Sequence, residues 1–214
     1  MLSGLDLSGI IQLSIIFIIS ISFHEYAHAW ASFQLGDPTA KNLGRLTPNP
    51  LKHIDPIGFL LIFFIGFGRG RPVPIDSRYY KHPLRDELLV ALAGPMSNII
   101  LAVLAMVVSL TYTYTTGLDV SLRSSDIVVQ FWYLFAMTNI ALAVFNMIPV
   151  PPLDGYRVLT YLYPPAQAFI MRYFYYLSFG FLILIVVIPF SSQLIKGFYY
   201  WYCTDHLRNI VSNS

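Results

Sequence analysis

Residues 10–28 read IIQLSIIFIISISFHEYAH. Extended to about Gly9–Leu35, the run is long enough to cross a hydrocarbon core of about 30 Å as a helix, which takes roughly 20 largely apolar residues. It stops at Gly36-Asp37-Pro38, where glycine supplies the C-terminal residue and proline blocks continuation. It does not read as a simple cleaved signal peptide, because no basic region leads it and it carries HEYAH inside it. Three further stretches have the same character: about Glu87–Tyr114, Ile127–Phe145 and Ala168–Ile188, the last ended by Pro189. All four are expected to be helices, since a lone lipid-exposed strand would leave its backbone groups unpaired.

The composition agrees. Of 214 residues, 56% are hydrophobic and 11% charged, against roughly 25% charged in a soluble domain. Thirteen Lys and Arg against eleven Asp and Glu leave too small an excess for nucleic-acid binding. Membrane lipid is the expected surrounding. Cys203 is the only cysteine, so neither an internal disulfide nor a zinc–thiolate framework is available, and any metal must be held by nitrogen and oxygen. The expectation is an all-α polytopic membrane protein of about four full transmembrane helices, forming one embedded domain over residues 1–214. Its core would span about 9–158, with a C-terminal helix and interfacial tail over 159–214.

A fifth apolar stretch, Ile57–Phe67, is short for a crossing. Its flanks carry Lys41, Arg45 and Lys52 on one side and Arg69, Arg71, Arg78, Lys81 and Arg85 on the other. If basic loops face the cytoplasm, both ends lie on that side, which a re-entrant segment satisfies and a crossing does not. Arg157 and Arg172 fall on the same side in this topology, leaving Arg123, Lys196 and Arg208 opposite. Arg71–Ile75 (RPVPI) is expected to form a short extended edge, with prolines that lack hydrogen-bond donors. From Lys196 onward, the aromatic FYYWY suits an interfacial belt.

His24-Glu25-Tyr26-Ala27-His28 is an HExxH pattern. Four residues make slightly more than one helical turn, so both imidazoles share a face and can bind one zinc ion. Glu25 sits one position along, near such a metal without binding it, where a carboxylate can take a proton from water and return it to a leaving amine. Chance occurrence is a poor explanation here, because three ionisable groups in an apolar helix cost several kcal/mol unless compensated. A hydrolytic zinc site needs a third protein ligand and an open position. Asp154 is the leading candidate: it lies in NMIPVPPLDG (Asn146–Gly155), whose three prolines halt the third helix and stiffen the backbone. Asn146 or Asn98 can donate to an oxyanion, or can simply bridge or cap helices. Gly94-Pro95 reads as a close-packing device. His53 and Asp55 can support metal ligands from behind but read more plainly as loop residues near the membrane surface, His82 and His206 have no partner at metal spacing, and Arg157 can orient a carboxylate but reads more plainly as marking the cytoplasmic boundary.

HExxH in the first helix, Ala93-Gly94-Pro95-Met96-Ser97-Asn98 in the second and NMIPVPPLDG after the third occur in the order of the three signatures of the site-2 protease family. The chain resembles that family of intramembrane zinc metalloproteases, in its short bacterial and archaeal form without a PDZ or CBS domain, over about Ile15–Val158. The resemblance implies zinc held by His24, His28 and Asp154, Glu25 as general base, and Asn146 near the zinc. It further implies cleavage of transmembrane helices of protein substrates in regulated intramembrane proteolysis, from a multi-pass protein of a prokaryotic plasma membrane with its active site toward the cytoplasm. A substrate helix must be unwound before it is cut, and the edge with Val73 and Ile75 is where it would pair by strand addition. Two other classes share some of these features: a membrane zinc transporter, and a substrate-binding scaffold without turnover.

Overall fold

The computed structural model describes residues 7–56, 58, 70–118 and 126–187. Apart from Gly58, the expected re-entrant stretch Ile57–Phe67 lies outside the described residues, as do Cys203, His206 and the tail from Lys196. Helix α1 runs over Leu7–Gln34, a short α2 over Thr39–Asn42, α3 over Pro83–Thr116, α4 over Ile127–Asn146, α5 over Gly155–Leu162 and α6 over Pro165–Val187. The expectation of an all-helical fold with four spans holds: α1, α3, α4 and α6 are each long and apolar enough to cross a membrane.

Boundaries differ from the apolar limits where polar residues extend a helix without breaking it. Helix α3 starts at Pro83 rather than Glu87, since proline suits the first turn and the Asp86 carboxylate accepts the His82 N–H at 3.0 Å. It ends at Gly117, which adopts φ +70°. Asp126 caps α4, accepting from the N–H groups of Val128 (2.8 Å) and Val129 (3.0 Å).

Helices α1, α3 and α4 form the centre. Ile16, Ala105, Phe135 and Ala136 are buried together, with Ile19, Leu101 and Trp132 against them. Small residues let the backbones approach, as expected where lipid removes the hydrophobic drive for association: Ser20, Ala102, Ser109 and Ala143 are all buried. The opposite faces, such as Val103, Leu104 and Val107 of α3 and Met171, Tyr175 and Phe179 of α6, stay exposed for lipid.

Among the described residues there is no strand; the expected edge at Arg71–Ile75 has no regular structure, and one antiparallel bridge, Ile54 to Gly70, lies just before it. Two anchors hold it against the chain that follows α1. At one end the Arg71 N–H donates to the His53 carbonyl at 2.7 Å, while Arg45 Nη2 donates to the Arg71 carbonyl at 2.7 Å. At the other end stands Asp37. The last turn of α1 closes with Gly36 N–H to the Phe33 carbonyl and Asp37 N–H to the Ser32 carbonyl, both 3.1 Å, with Gly36 at φ +105°. That turn buries the Asp37 carboxylate, which accepts from Ser32 Oγ (2.8 Å), Thr39 N–H (2.9 Å) and Asp76 N–H (2.9 Å). Burial opposes its ionisation, but these donors outweigh it and hold the carboxyl below the usual range. Ser32 spends its proton on Asp37, so the Tyr80 hydroxyl donates to Ser32 Oγ at 2.7 Å. Burial pushes that hydroxyl up to about 12.

Candidate metal centre

Helix α1 rises 1.5 Å per residue, so His28 and His24 lie about 9 and 15 Å from its end at Gln34, well inside the bundle. Their rings are 4.6 Å apart between centroids and nearly perpendicular. Each is fixed from behind by helix α3. His28 Nδ1 lies 2.7 Å from the Val90 carbonyl, and His24 Nδ1 lies 2.6 Å from Asn98 Oδ1. A carbonyl only accepts, so Nδ1 of His28 carries the proton and Nε2 carries the lone pair. Such backing is typical of metal-binding histidines.

Gly94 makes this approach possible. A Cβ there would fall within 2.6 Å of Cε1 of both His24 and His28. The stretch after α4 brings in the carboxylate. Its turn closes through Val150 N–H to the Ile148 carbonyl (2.8 Å) and Leu153 N–H to the Val150 carbonyl (3.0 Å), and α5 starts immediately after Asp154. Gly155 has no room for a side chain, since a Cβ would meet the Met147 and Ile148 carbonyls at 2.5 Å or less. Asp154 Oδ2 thereby comes to 3.2 Å from Nε2 of His24 and 3.2 Å from Nε2 of His28, themselves 3.0 Å apart.

Those three distances decide what the cluster can hold. Bonds of about 2.0–2.1 Å in a tetrahedron give ligand atoms about 3.3 Å apart, close to the triangle observed. With Nδ1 of each ring committed behind it, the two Nε2 atoms face Asp154 as acceptors. Among the described residues, buried Asp154 Oδ2 has no hydrogen-bond donor. Three acceptors this close repel unless positive charge, a metal ion or a second proton on an imidazole, sits between them. The donor set, two imidazoles and one carboxylate, is that of catalytic zinc. Among the described residues, these three side chains form a group that could hold a metal ion.

Glu25 lies outside the triangle. It is 9% exposed, and its Oε2 accepts the Val73 N–H at 3.0 Å. A cavity of about 310 Å³ opens in front of the cluster, lined by Glu25, Val73, Ile75, Asn146, Arg157 and Phe174 among others. Val73 and Ile75 therefore border the site with Glu25, although Val73 also packs on Ala29 and Ala40. Asn146 borders the cavity with one amide N–H given to the Leu142 carbonyl at 2.9 Å. Asn98 does not border it. It is fully buried behind His24, and Nδ2 gives its two protons to Asn139 Oδ1 (2.8 Å) and the Ser20 carbonyl (3.3 Å), leaving none for a substrate. Arg157, read from sequence as a membrane boundary, faces the cavity and donates to Tyr156 Oη at 3.2 Å. His53 is fully buried rather than a surface loop residue, donating from Nε2 to the Thr47 carbonyl at 2.6 Å. The motifs do not mark Asn139. An amide in the middle of FWYLFAMTNIALAVF is costly in lipid, and that cost was the available signal.

Comparison with known proteins reaches the same chemistry independently. Residues 12–186 match the model of peptidase family M50. The chain is 40% identical over 185 residues to "Putative zinc metalloprotease YwhC" of Bacillus subtilis, covering 86% of this chain and 83% of that protein. It is 29% identical to "Putative zinc metalloprotease Rip2" of Mycolicibacterium smegmatis, over 86% of this chain and 70% of the relative, and 27% identical with the same coverages to Rip2 of Mycobacterium tuberculosis (strain ATCC 25618 / H37Rv). No solved structure gives a significant match. A family match running through all four helical spans and the residues of the acceptor triangle places this chain in peptidase family M50, the site-2 protease family, as a zinc metalloprotease.

Proposed function

We propose that the protein is an intramembrane endopeptidase that cuts transmembrane segments of membrane-protein substrates, in regulated intramembrane proteolysis, with zinc held by His24, His28 and Asp154. The observation that carries this reading is the triangle of three acceptors, 3.0–3.2 Å on a side, inside the helical bundle. When bound, zinc supplies Lewis acidity, polarising a peptide carbonyl and making water nucleophilic near neutral pH. The Glu25 carboxylate takes the proton from the attacking water and delivers it to the leaving nitrogen. The Val73 N–H holds Oε2 of that carboxylate in place. Asn146, at the cavity with an amide proton beyond the one given to Leu142, supplies the oxyanion donor. Asn98 serves the site through His24 instead.

The edge at residues 71–75 receives the unwound substrate. Its chemistry is one-sided. The Arg71 N–H is spent on His53, the Val73 N–H on Glu25, and Pro72 and Pro74 have none. Beyond the Ile75 N–H, carbonyl oxygens are what this edge offers. Changing both Val73 and Ile75 to proline slows cleavage without loss of zinc, and Ile75→Pro alone separates substrate pairing from the hold on Glu25. Unchanged turnover in both variants, measured on a transmembrane test substrate, counts against the edge. The basic residues at 41–85, together with Arg157 and Arg172, support a cytoplasmic orientation of the site, and the bacterial sources of the relatives support a prokaryotic plasma membrane.

The test is metal analysis of the purified protein alongside cleavage of a generic transmembrane substrate. Zinc near one per chain, cleavage that stops when a chelator strips the metal, and recovery on adding zinc are the expected results. Absence of zinc, or cleavage that persists after stripping, overturns the proposal.

A further inference from the structure

The polarity of the amides behind His24 can be read from two backbone carbonyls, which accept and never donate. The Phe135 carbonyl lies 2.9 Å from one amide atom of Asn139, which must therefore be Nδ2; that nitrogen also lies 2.8 Å from Ser20 Oγ. Asn139 Oδ1 is thus turned to Asn98, whose Nδ2 donates to it at 2.8 Å and lies 3.3 Å from the Ser20 carbonyl. Asn98 Oδ1 is left to accept from His24 Nδ1 at 2.6 Å. The proton of His24 is therefore on Nδ1 and its lone pair on Nε2, toward Asp154. Both asparagines are fully buried, on two different helices.

We propose that Asn139 is a positioning residue for the metal centre: acting through Asn98, it fixes the tautomer of His24 that can ligate zinc. The inference rests on the zinc reading above. The alternative state is well defined. An Asn98 amide rotated by half a turn presents NH₂ to His24 Nδ1, moves the imidazole proton to Nε2 and blocks coordination. Against that rotation the Ser20 carbonyl is a contact at 3.3 Å, whereas the Asn139 oxygen is at 2.8 Å and is itself locked by Phe135 and Ser20 Oγ. Asn139 thus carries most of the constraint. Loss of such a partner behind a metal-binding histidine typically costs about 10–100-fold in affinity.

Helix–helix adhesion alone also explains a buried pair of amides, and a double-mutant cycle on zinc affinity separates the two. Purified wild type, Asn139→Leu, Asn98→Ala and the double variant are titrated with zinc against a chromophoric chelator. Asn139→Leu weakens zinc binding about ten-fold or more, and adds less than about two-fold once Asn98 is already alanine. The cobalt(II)-loaded Asn139→Leu protein shows a displaced visible spectrum. Ser20→Ala, a lighter change that removes one lock on Asn139, gives a smaller loss that likewise vanishes in the Asn98→Ala background. It decides the matter alone if Asn139→Leu does not fold. Wild-type affinity in these variants, or losses that simply add to that of Asn98→Ala, overturns the inference. A wild-type protein that takes up no zinc sinks the zinc reading itself, a separate result.

Discussion

Glu25→Gln retains its zinc and loses cleavage by about 10²–10⁴-fold, the usual contribution of a positioned general base. The substitution keeps the shape of the side chain, and the glutamine oxygen can still accept the Val73 N–H that now reaches Oε2 at 3.0 Å. None of the three atoms of the metal triangle belongs to this residue. What disappears is the ability to take a proton from water and hand it to the leaving nitrogen. Zinc content by metal analysis and turnover of a transmembrane test substrate are the two measurements. A substrate-binding scaffold would be indifferent to the change, so turnover at the wild-type rate would remove Glu25 from the chemistry. Loss of zinc would instead show that its charge helps to hold the metal.

Gly94→Ala separates the metal from the fold. The added methyl would lie within 2.6 Å of Cε1 of both imidazoles, so the rings and α3 must part. Overpacking of this kind costs about 3 kcal/mol, equivalent to about 100-fold in zinc affinity, if the strain is relieved by displacing the ligands. Metal-free protein can take that relief at less expense, because no bonds to a shared ion hold the two rings and Asp154 at this spacing. The expected outcome is near-normal thermal stability without metal, zinc affinity reduced about 100-fold or more, and cleavage lost in parallel. Wild-type affinity would show that the helices yield without disturbing the rings.

The parts legible in the sequence are those that short-range chemistry determines. Length and apolarity fix the four spans, the four-residue spacing fixes His24 and His28 on one face, and the prolines of NMIPVPPLDG announce a stiff turn bearing Asp154. The rest depends on register between helices far apart in the chain. Gly94 could be read as a packing glycine, but not as the residue that faces both imidazoles. Asn98 could be read as a polar residue near the site, but its committed protons depend on Asn139, forty-one positions away. The Val73 N–H on Glu25 was equally hidden, since nothing in RPVPI indicates which carboxylate its one interior donor meets. Helices extend past the apolar limits where a first turn tolerates charge: Arg85 and Asp86 sit inside α3, and the Asp86 carboxylate accepts the His82 N–H.

A border made of oxygens selects its visitors by the hydrogens they bring. Along residues 71–74 the chain has no amide proton left over, so a stretched polypeptide lying there is held only where its own nitrogens carry one. An imino acid opposite this border lacks that hydrogen and forfeits its grip. For the proposed cleavage of unwound transmembrane segments, the expected preference is for helices loosened by glycine over helices loosened by proline, and comparing the two in a transmembrane test substrate checks it.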